Sequence, residues 1–597
     1  MSRQPSTATG VRARRLAWLT LGTVLAVLLV SAATYDRSGW PDLLPGEATL
    51  LMQADSLVQD GDLRYSRLDF DRQLLSRLGN PPDLALASGS GGRSITFDAP
   101  FPYALWLAPF LWLWPDDGFA LANAVLLALA SLFAAGSLER RIGAAAPLWL
   151  AVWVAASVTF QYVFYANGGL FLFCVGLVSA ALVAPETADA EVEDRTLSRR
   201  WLAAGLLLSI AVASRGLYWV LPAAALLALP RRGRGPLAAV FGVGLAAGSL
   251  VQAVVQFWAG GGLHFWGTER FRFTPETGYP LVDFPAAEWT SMVGRLSALY
   301  FEGSAVGTWG LDAKLWSWNA VYLWLGESIG LLPYFLPLLL LGLAPRRGAL
   351  RPAVAAVGLF VVAVLAVGPF DLYGGTGAVA NRLFLPIYGF LVLALGVPAR
   401  PKLLGLPTAP LAAAAAVALG APFLSSMWGA PWTYPVAEHG GYRHVTPLAA
   451  RLLPYEASQK PLPGGPVAAH GDFMVRFLDE HTWAETRRDR LVMDARHPAR
   501  LLVTSSAAVD RLRIDFGDEA PADLVIRGGG EVERQLAPHG GIGFRFEPTH
   551  VRRHVMWWSP RRQWLYFLEL SFPDAPDAEL PFYIVGEHLT EGDGADE

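Results

Sequence analysis

The sequence predicts a polytopic α-helical membrane domain followed by a C-terminal β-sandwich, and three observations carry that prediction. Over 597 residues the chain is 53% hydrophobic and 16% charged, with a mean hydropathy of +0.35; soluble domains carry about 25% charge. Apolar runs recur through residues 1–428, with basic clusters on alternate connections. From about Thr433 short segments of partial period-2 alternation take over, separated by Gly, Pro and Asp turns. A net charge of −4 gives no basis for nucleic-acid binding. The single cysteine, Cys174, lies in an apolar run, so one chain builds neither a disulfide framework nor a thiolate metal site. The 22 tryptophans and 43 prolines suit much interfacial surface and several broken helices.

Residues 1–16 are polar and basic (Arg3, Arg12, Arg14, Arg15), and the first apolar run extends from Leu16 to Ala33. A signal peptide looks similar. No convincing small-x-small cleavage site precedes TYDRSGW, and many spans follow, so this run reads as a retained helix with its arginines in the cytoplasm. Later spans are predicted near 119–137, 145–164, 169–185, 200–213, 217–230, 236–257, 329–344, 352–369, 383–397 and 409–426. Several are shorter than the roughly 20 residues that cross ~30 Å of hydrocarbon. ERR (139–141), SRR (198–200), PRRGR (230–234), PRRGALR (345–351) and ARPK (399–402) all fall on the side of the N-terminus. That is the positive-inside pattern, and about eleven spans then place the C-terminus outside. The acidic stretch 186–197 is a solvated cytoplasmic connector.

Between the first two spans lies the long outer loop 35–118. FPYALWLAPFLWLWP (101–115) is apolar but only about 15 residues long and interrupted by Pro102 and Pro109. Counting it as a crossing would invert every later basic loop, so it reads as a helix in the outer interface, where Trp and Tyr are favoured. Residues 46–59 form a short helix with an apolar stripe at Leu50, Leu51, Ala54 and Val58. Glu47 sits three and four residues before the first pair, on that stripe, while Asp55, Gln59 and Asp60 point more outward. A carboxylate on the apolar side is costly unless paired or used; the bland alternative is a first-turn Glu facing the helix dipole. Asp98 stands isolated before APFPYALWLAP.

Two further outer segments carry polar groups. HFWGTERFRFTPETGYPLVDFP (264–285) opens a loop of some 70 residues that ends in KLWSWNAVYLWLGES. FDLYGGTGAVANRLFLPIY (370–388) places Asn381 and Arg382 after glycine-rich backbone at a helix mouth, a setting suited to clamping a phosphate. Its alternative is a snorkelling arginine. Arg215, in ASRGLYW, sits at an outer turn and is a second candidate for the same task.

Beyond Thr433, ARLLVTSS, VDRLRIDFG, ADLVIRG, GIGFRFEP, RRHVMWW, QWLYFLELSFP and LPFYIVGEH read as strands. A domain over 433–597 built this way is predicted to be a β-sandwich. His470, His481, His497, His539, His550 and His554 lack metal-site spacing. Trp557, Trp558 and Trp564 are candidates for carbohydrate contact, with core packing as the alternative.

GEATLLMQADSLVQDGDL, FDAPFPYALW and GGTGAVANRLFLP, in that order and all on the outer side, resemble the membrane-embedded glycosyltransferases of the GT-C superfamily. These take sugars from polyprenyl-phosphate carriers and include the lipid A aminoarabinose transferase and the protein O-mannosyltransferases. The resemblance covers 1–428 and excludes the sandwich. It implies a GT-C-like fold in a bacterial inner membrane, with the C-terminal domain periplasmic. It also implies catalytic roles for Glu47 and Asp98, and contacts of Arg382 and Asn381 with the donor phosphate, beside which Arg215 stands as a candidate from its outer turn. Two departures stand out. Gly46 occupies the place of the family's usual aspartate, and Asn167 in YVFYANGGL stands where relatives commonly carry an acid.

The expected reaction is inverting transfer of a sugar from a polyprenyl-phosphate donor to a glycan, lipid or protein acceptor. A carboxylate takes the acceptor's proton, and positive charge receives the leaving phosphate. A divalent cation, Mg or Mn, held by Asp98 is the cofactor such a site would take. Membrane lipids are partners and nucleic acid is not. Two readings of other classes stay open. One is a catalytically inactive scaffold or glycan-binding subunit of a cell-envelope polysaccharide system, suggested by Gly46. The other is a transporter, disfavoured by spans nearly free of charge and by the lack of an internal repeat.

Overall fold

The computed structural model describes residues 7–35, 46–76, 84–88, 95–115, 117–184, 194–230, 234–260, 269–273, 313–343, 347–367, 372, 380–396, 402–403 and 406–429. Beyond these it describes 436–437, 441–442, 446–454 and the strands named below. The chain divides into two compact units. The first comprises Met1–Trp324, Ile329–Gly374 and Ala380–Trp432; the second comprises Leu325–Ser328, Gly375–Val379 and Thr433–Glu597.

The first unit is helical, and six stretches are long and apolar enough to cross a membrane: Val11–Ala33, Gly118–Ala155, Thr196–Ser214, Arg234–Ala259, Ala349–Ala366 and Thr408–Trp428. Gly168–Val183, Gly216–Leu227 and Arg382–Ala394 are shorter apolar helices, and the expected span at 329–344 is split into turns at Leu331–Tyr334, Leu336–Leu339 and Leu340–Leu343. Large apolar side chains face outward along these stretches, among them Leu250, Val251, Val254 and Phe257. In a helix bathed by water such a stripe would be unfavourable; against lipid it costs nothing.

The helices used below are α1 (Thr7–Ala33), α2 (Glu47–Gln59), α3 (Arg67–Leu75), α4 (Phe101–Leu113), α5 (Gly118–Ile142), α6 (Ala146–Ala155) and α7 (Gly168–Val183). They continue with α8 (Asp194–Ser214), α9 (Val220–Leu227) and α10 (Arg234–Gly260). At the centre, α7 packs against the short helix Leu385–Leu391. A Cβ on Gly176 would run into the Pro386 carbonyl, and one on Gly389 into the Phe173 carbonyl, so both glycines serve the close approach of two backbones. Tyr388 stacks on Trp153 of α6 at 4.4 Å and 6°. Its hydroxyl donates to the Trp153 carbonyl at 2.9 Å. This fixes the helix that begins just after Arg382.

The connection between α1 and α5 is built on α2. The expected helices at 46–59 and 101–115 are present as α2 and α4. Pro102 sits at the start of α4, where no N–H is needed. Pro109, expected to break the segment, lies inside a continuous helix. Thirteen residues give α4 a length of about 20 Å, short of a crossing. Not foreseen is a small antiparallel sheet of β1 (Leu84–Ser88), β2 (Ile95–Phe97) and β3 (Glu269–Phe273), in the order β2-β1-β3. Leu86 pairs with Phe97 on one side and with Phe271 on the other. Met52, Tyr65, Phe70, Leu84, Leu86, Ile95, Phe97 and Phe273 form a core that seats this sheet on α2. Arg64 donates to the Ala259 carbonyl at 3.1 Å and so ties the loop to the C-terminal end of α10. The rest of 264–285, and 373–379 before Ala380, lie outside the described residues.

KLWSWNAVYLWL, expected as loop, is helical over Ala313–Leu325.

The second unit is built of antiparallel strands. One six-stranded sheet runs Val525–Gly528, Arg562–Ser571, Ala499–Ser505, Phe473–Phe477, Ala468–His470, with His550–Arg553 also pairing to Arg562–Ser571. A four-stranded sheet runs Gln535–Leu536, Ile542–Phe544, Arg511–Asp515, Tyr583–Glu587, and a three-stranded one joins Thr482–Ala484, Arg490–Met493 and Ala578–Pro581. The alternation read in QWLYFLELS is real: Tyr566 and Leu568 are both buried, and Val503, paired to Tyr566, is buried with them. The strand expected from RRHVMWW is shifted to His550–Arg553; Trp557 and Trp558 lie outside the described residues. Trp564 is on the long strand Arg562–Ser571.

Candidate functional site

Helix α2 starts at Glu47 because Gly46 turns the chain with φ 86° and ψ −11°, a left-handed conformation open to glycine. A Cβ at Gly46 would meet no atom within 4 Å, so backbone conformation and not space restricts the position. Gly46→Ala is therefore expected to destabilise by about 1 kcal/mol, and Gly46→Asp by less, since a short polar side chain visits this region more readily. Thermal unfolding in detergent checks the order; equal midpoints for the two variants would contradict it.

The Glu47 side chain is 1% exposed. The Ala166 N–H donates to its Oε1 at 2.6 Å, a short charge-assisted bond. Ala166 belongs to a buried stretch between the 3-10 helix Val158–Phe164 and α7. Asn123 of α5, fully buried, donates from Nδ2 to the Val163 carbonyl at 3.2 Å and to the Tyr165 carbonyl at 2.9 Å. Its Oδ1 accepts from the Tyr103 hydroxyl of α4 at 3.0 Å. The Glu47 carboxylate acts electrostatically on the phenols of both Tyr103 and Tyr165.

Asp98, half-buried, follows β2. Its N–H donates to the Ala85 carbonyl at 2.9 Å, while the Ala85 N–H donates to Thr49 Oγ1 at 2.9 Å. One residue of β1, Ala85, thus links the backbone of Asp98 to the first turn of α2, and the two predicted carboxylates belong to one assembly. Gln53 of α2 adds a second tie, donating to the Ala99 carbonyl at 3.2 Å.

The predicted phosphate-binding residues gather around other phenols. Arg382 is half-buried and Arg215 exposed. Both guanidinium groups act on Tyr218, a buried residue of the 3-10 turn Gly216–Trp219 that Arg215 opens. Arg382 also acts on Tyr162, whose ring lies 6.3 Å from that of Tyr165. Tyr162 and Tyr165 pack ring against ring just before Ala166, whose N–H holds Glu47. Asn381 plays a different part. It is fully buried, donates to the Leu372 carbonyl at 2.8 Å and accepts from the Phe384 N–H at 3.2 Å. Its side chain caps the turn that carries Arg382. Ala380, just before it, has φ 55°, a strained value for a residue with a Cβ.

Asn167 is the N-cap of α7, its Oδ1 accepting from the Gly169 N–H at 2.6 Å. An aspartate would cap equally well, so the departure from the family pattern leaves the local backbone intact. Asp55 lies outside the site, 3.6 Å from Arg72, which also pairs with Asp60 and Asp69. Burial pushes the Asp55 and Asp69 carboxyls above their ordinary range, with Arg72 opposing it. This group joins α2 to α3, and the Ser66–Asp69 capping box begins α3.

Among the described residues no group of three or more His, Cys, Asp and Glu side chains is placed to hold a metal ion. A Mg²⁺ or Mn²⁺ would use Asp98 as its protein ligand and take the rest from phosphate and water, a usual mode for Mg²⁺. Bound there, the ion would supply positive charge to a leaving phosphate.

Sequence reasoning missed Tyr103, Asn123, Tyr162, Tyr165 and Tyr218. A signal existed for Asn123, one amide in the apolar run ALANAVLLALAS, where a polar residue needs a partner. No family model and no curated protein sequence matches the chain. Among solved structures, the single-particle cryo-EM structure of the arabinosyltransferase EmbB from Mycobacterium smegmatis is similar at 10% sequence identity and a TM-score of 0.27, over 98% of this chain and 66% of that one. A likeness that loose carries neither residues nor activity across.

Proposed function

We propose that the chain is an inverting membrane glycosyltransferase that moves a sugar from a polyprenyl-phosphate donor to a glycan, lipid or protein acceptor. The observation that carries the reading is the buried Glu47 carboxylate, 1% exposed and held by the Ala166 N–H at 2.6 Å. Such a base, with Arg382 and Arg215 as the phosphate clamp, suits a one-step displacement. Glu47 takes the acceptor hydroxyl proton while that oxygen attacks the anomeric carbon. The bond to phosphate breaks, and the arginines receive the negative charge. Asp98 positions the acceptor hydroxyl or a cation, and polyprenyl phosphate leaves without a general acid. The three motifs of the outer loops support the same reading. Purified protein with a polyprenyl-phosphate sugar and a cell-envelope acceptor tests it: transfer with inversion supports it, and hydrolysis-free inertness with retained glycan binding favours a glycan-binding subunit.

The proposal includes about eleven crossings in a bacterial inner membrane, N-terminus inside, with 433–597 as a periplasmic β-sandwich. Reporter fusions after Pro115 and after Arg141 are expected to score outside and inside respectively. A cytoplasmic score after Pro115 would turn α4 into a crossing and move every later loop to the other side.

A further inference from the structure

Asn123 directs its whole amide at one segment. Both Nδ2 hydrogens go to the Val163 and Tyr165 carbonyls, and Oδ1 receives the Tyr103 hydroxyl. The reverse orientation would set Oδ1 against two carbonyls and an NH₂ against a hydroxyl, so the amide has one stable placement. The Tyr165 carbonyl also accepts from the Asn167 N–H at 2.8 Å, which tightens the chain on either side of Ala166. Ala166 is fully buried, and its N–H is delivered to Glu47 Oε1 at 2.6 Å.

We infer that Asn123 is a positioning residue: through the Val163 and Tyr165 carbonyls it sets the Ala166 N–H, and through that N–H it sets the orientation of the Glu47 carboxylate toward the acceptor. This rests on the reading of Glu47 as the base. A desolvated carboxylate on the first residue of a helix has several rotamers, and one strong bond from an immobile donor selects one of them. Tyr103 donates to the amide Oδ1, and its loss leaves both amide-to-carbonyl bonds in place.

The experiment is a double-mutant cycle on the full-length protein with polyprenyl-phosphate sugar and acceptor. Asn123→Ala is expected to lower kcat by roughly 10²-fold, the scale of a 1 Å misplacement, with donor KM little changed. Tyr103→Phe is expected to lose only a few-fold. Glu47→Gln combined with Asn123→Ala is expected to be no slower than Glu47→Gln alone, because the second residue acts only through the first. Hydrogen exchange of the 163–169 peptide is expected to quicken in Asn123→Ala while the peptides of α8 and α10 keep their protection, which separates loosening from misfolding. Independent, multiplying losses with a slow Glu47→Gln would overturn the inference and leave the base assignment standing. Exchange at 163–169 equal to wild type would overturn it irrespective of turnover. Full turnover in Glu47→Gln would remove the base assignment itself, and Asn123 would lose its catalytic target with it.

Discussion

Glu47→Gln is expected to lower turnover by roughly 10²–10⁴, the usual scale of general acid–base help, while donor binding is largely retained. The substitution is nearly isosteric. Its amide oxygen can still accept from the Ala166 N–H, so the 2.6 Å contact that orients the group has a replacement. What disappears is the ability to take a proton. The site offers little relief, because Glu47 is 1% exposed. Asp98→Asn is expected to damage acceptor use or cation dependence as well as turnover, since Asp98 is half-buried and reaches the assembly through backbone. Steady-state and single-turnover kinetics with the native donor and acceptor decide the matter. Near wild-type turnover by Glu47→Gln would pass the base role to Asp98 or to an acid in 264–288.

Arg382→Ala is expected to reduce the specificity constant for the lipid-phosphate donor by about 10²–10³, the loss typical of removing one group aimed at developing charge. Arg382→Lys keeps the charge and loses the planar fork, so it should fall between the two. Arg215→Ala should cost less, because Arg215 is exposed and screened by solvent. Asn381→Ala offers a control of another kind. Its side chain bonds Leu372 and Phe384, so its loss should loosen the turn under Arg382 and lower stability together with donor use. Donor-dependence kinetics on folded protein test the series, and an unchanged specificity constant for Arg382→Ala would exclude a direct phosphate contact.

Sequence alone determined the elements whose signal is local. Apolar runs located the long helices, since lipid rewards each apolar side chain independently of its neighbours. Period-2 alternation located the longer strands from Ala499 onward, down to Tyr566 and Leu568 on one face, and missed those at Phe473–Phe477, Thr482–Ala484 and Arg490–Met493. The 3.6-residue stripe placed Glu47 on the apolar side of α2; in the structure Glu47 is buried, and so are Ala48, Thr49, Met52 and Gln53 around the rest of the helix. Tertiary structure alone decided who meets whom. The sheet of β1, β2 and β3 was invisible because LALAS, ITF and ERFRF are too short to announce themselves, and β3 lies far along the chain from its partner. The bond from Ala166 to Glu47 uses a backbone N–H, which every residue but proline carries, so no side chain marks it in the sequence. The same holds for Ala85, which joins Asp98 to Thr49 through its own peptide. Arg215 and Arg382 were legible as charges at helix mouths, but their shared action on Tyr218 was not, because which phenol comes within reach of both is fixed by how the helices pack and not by any spacing along the chain.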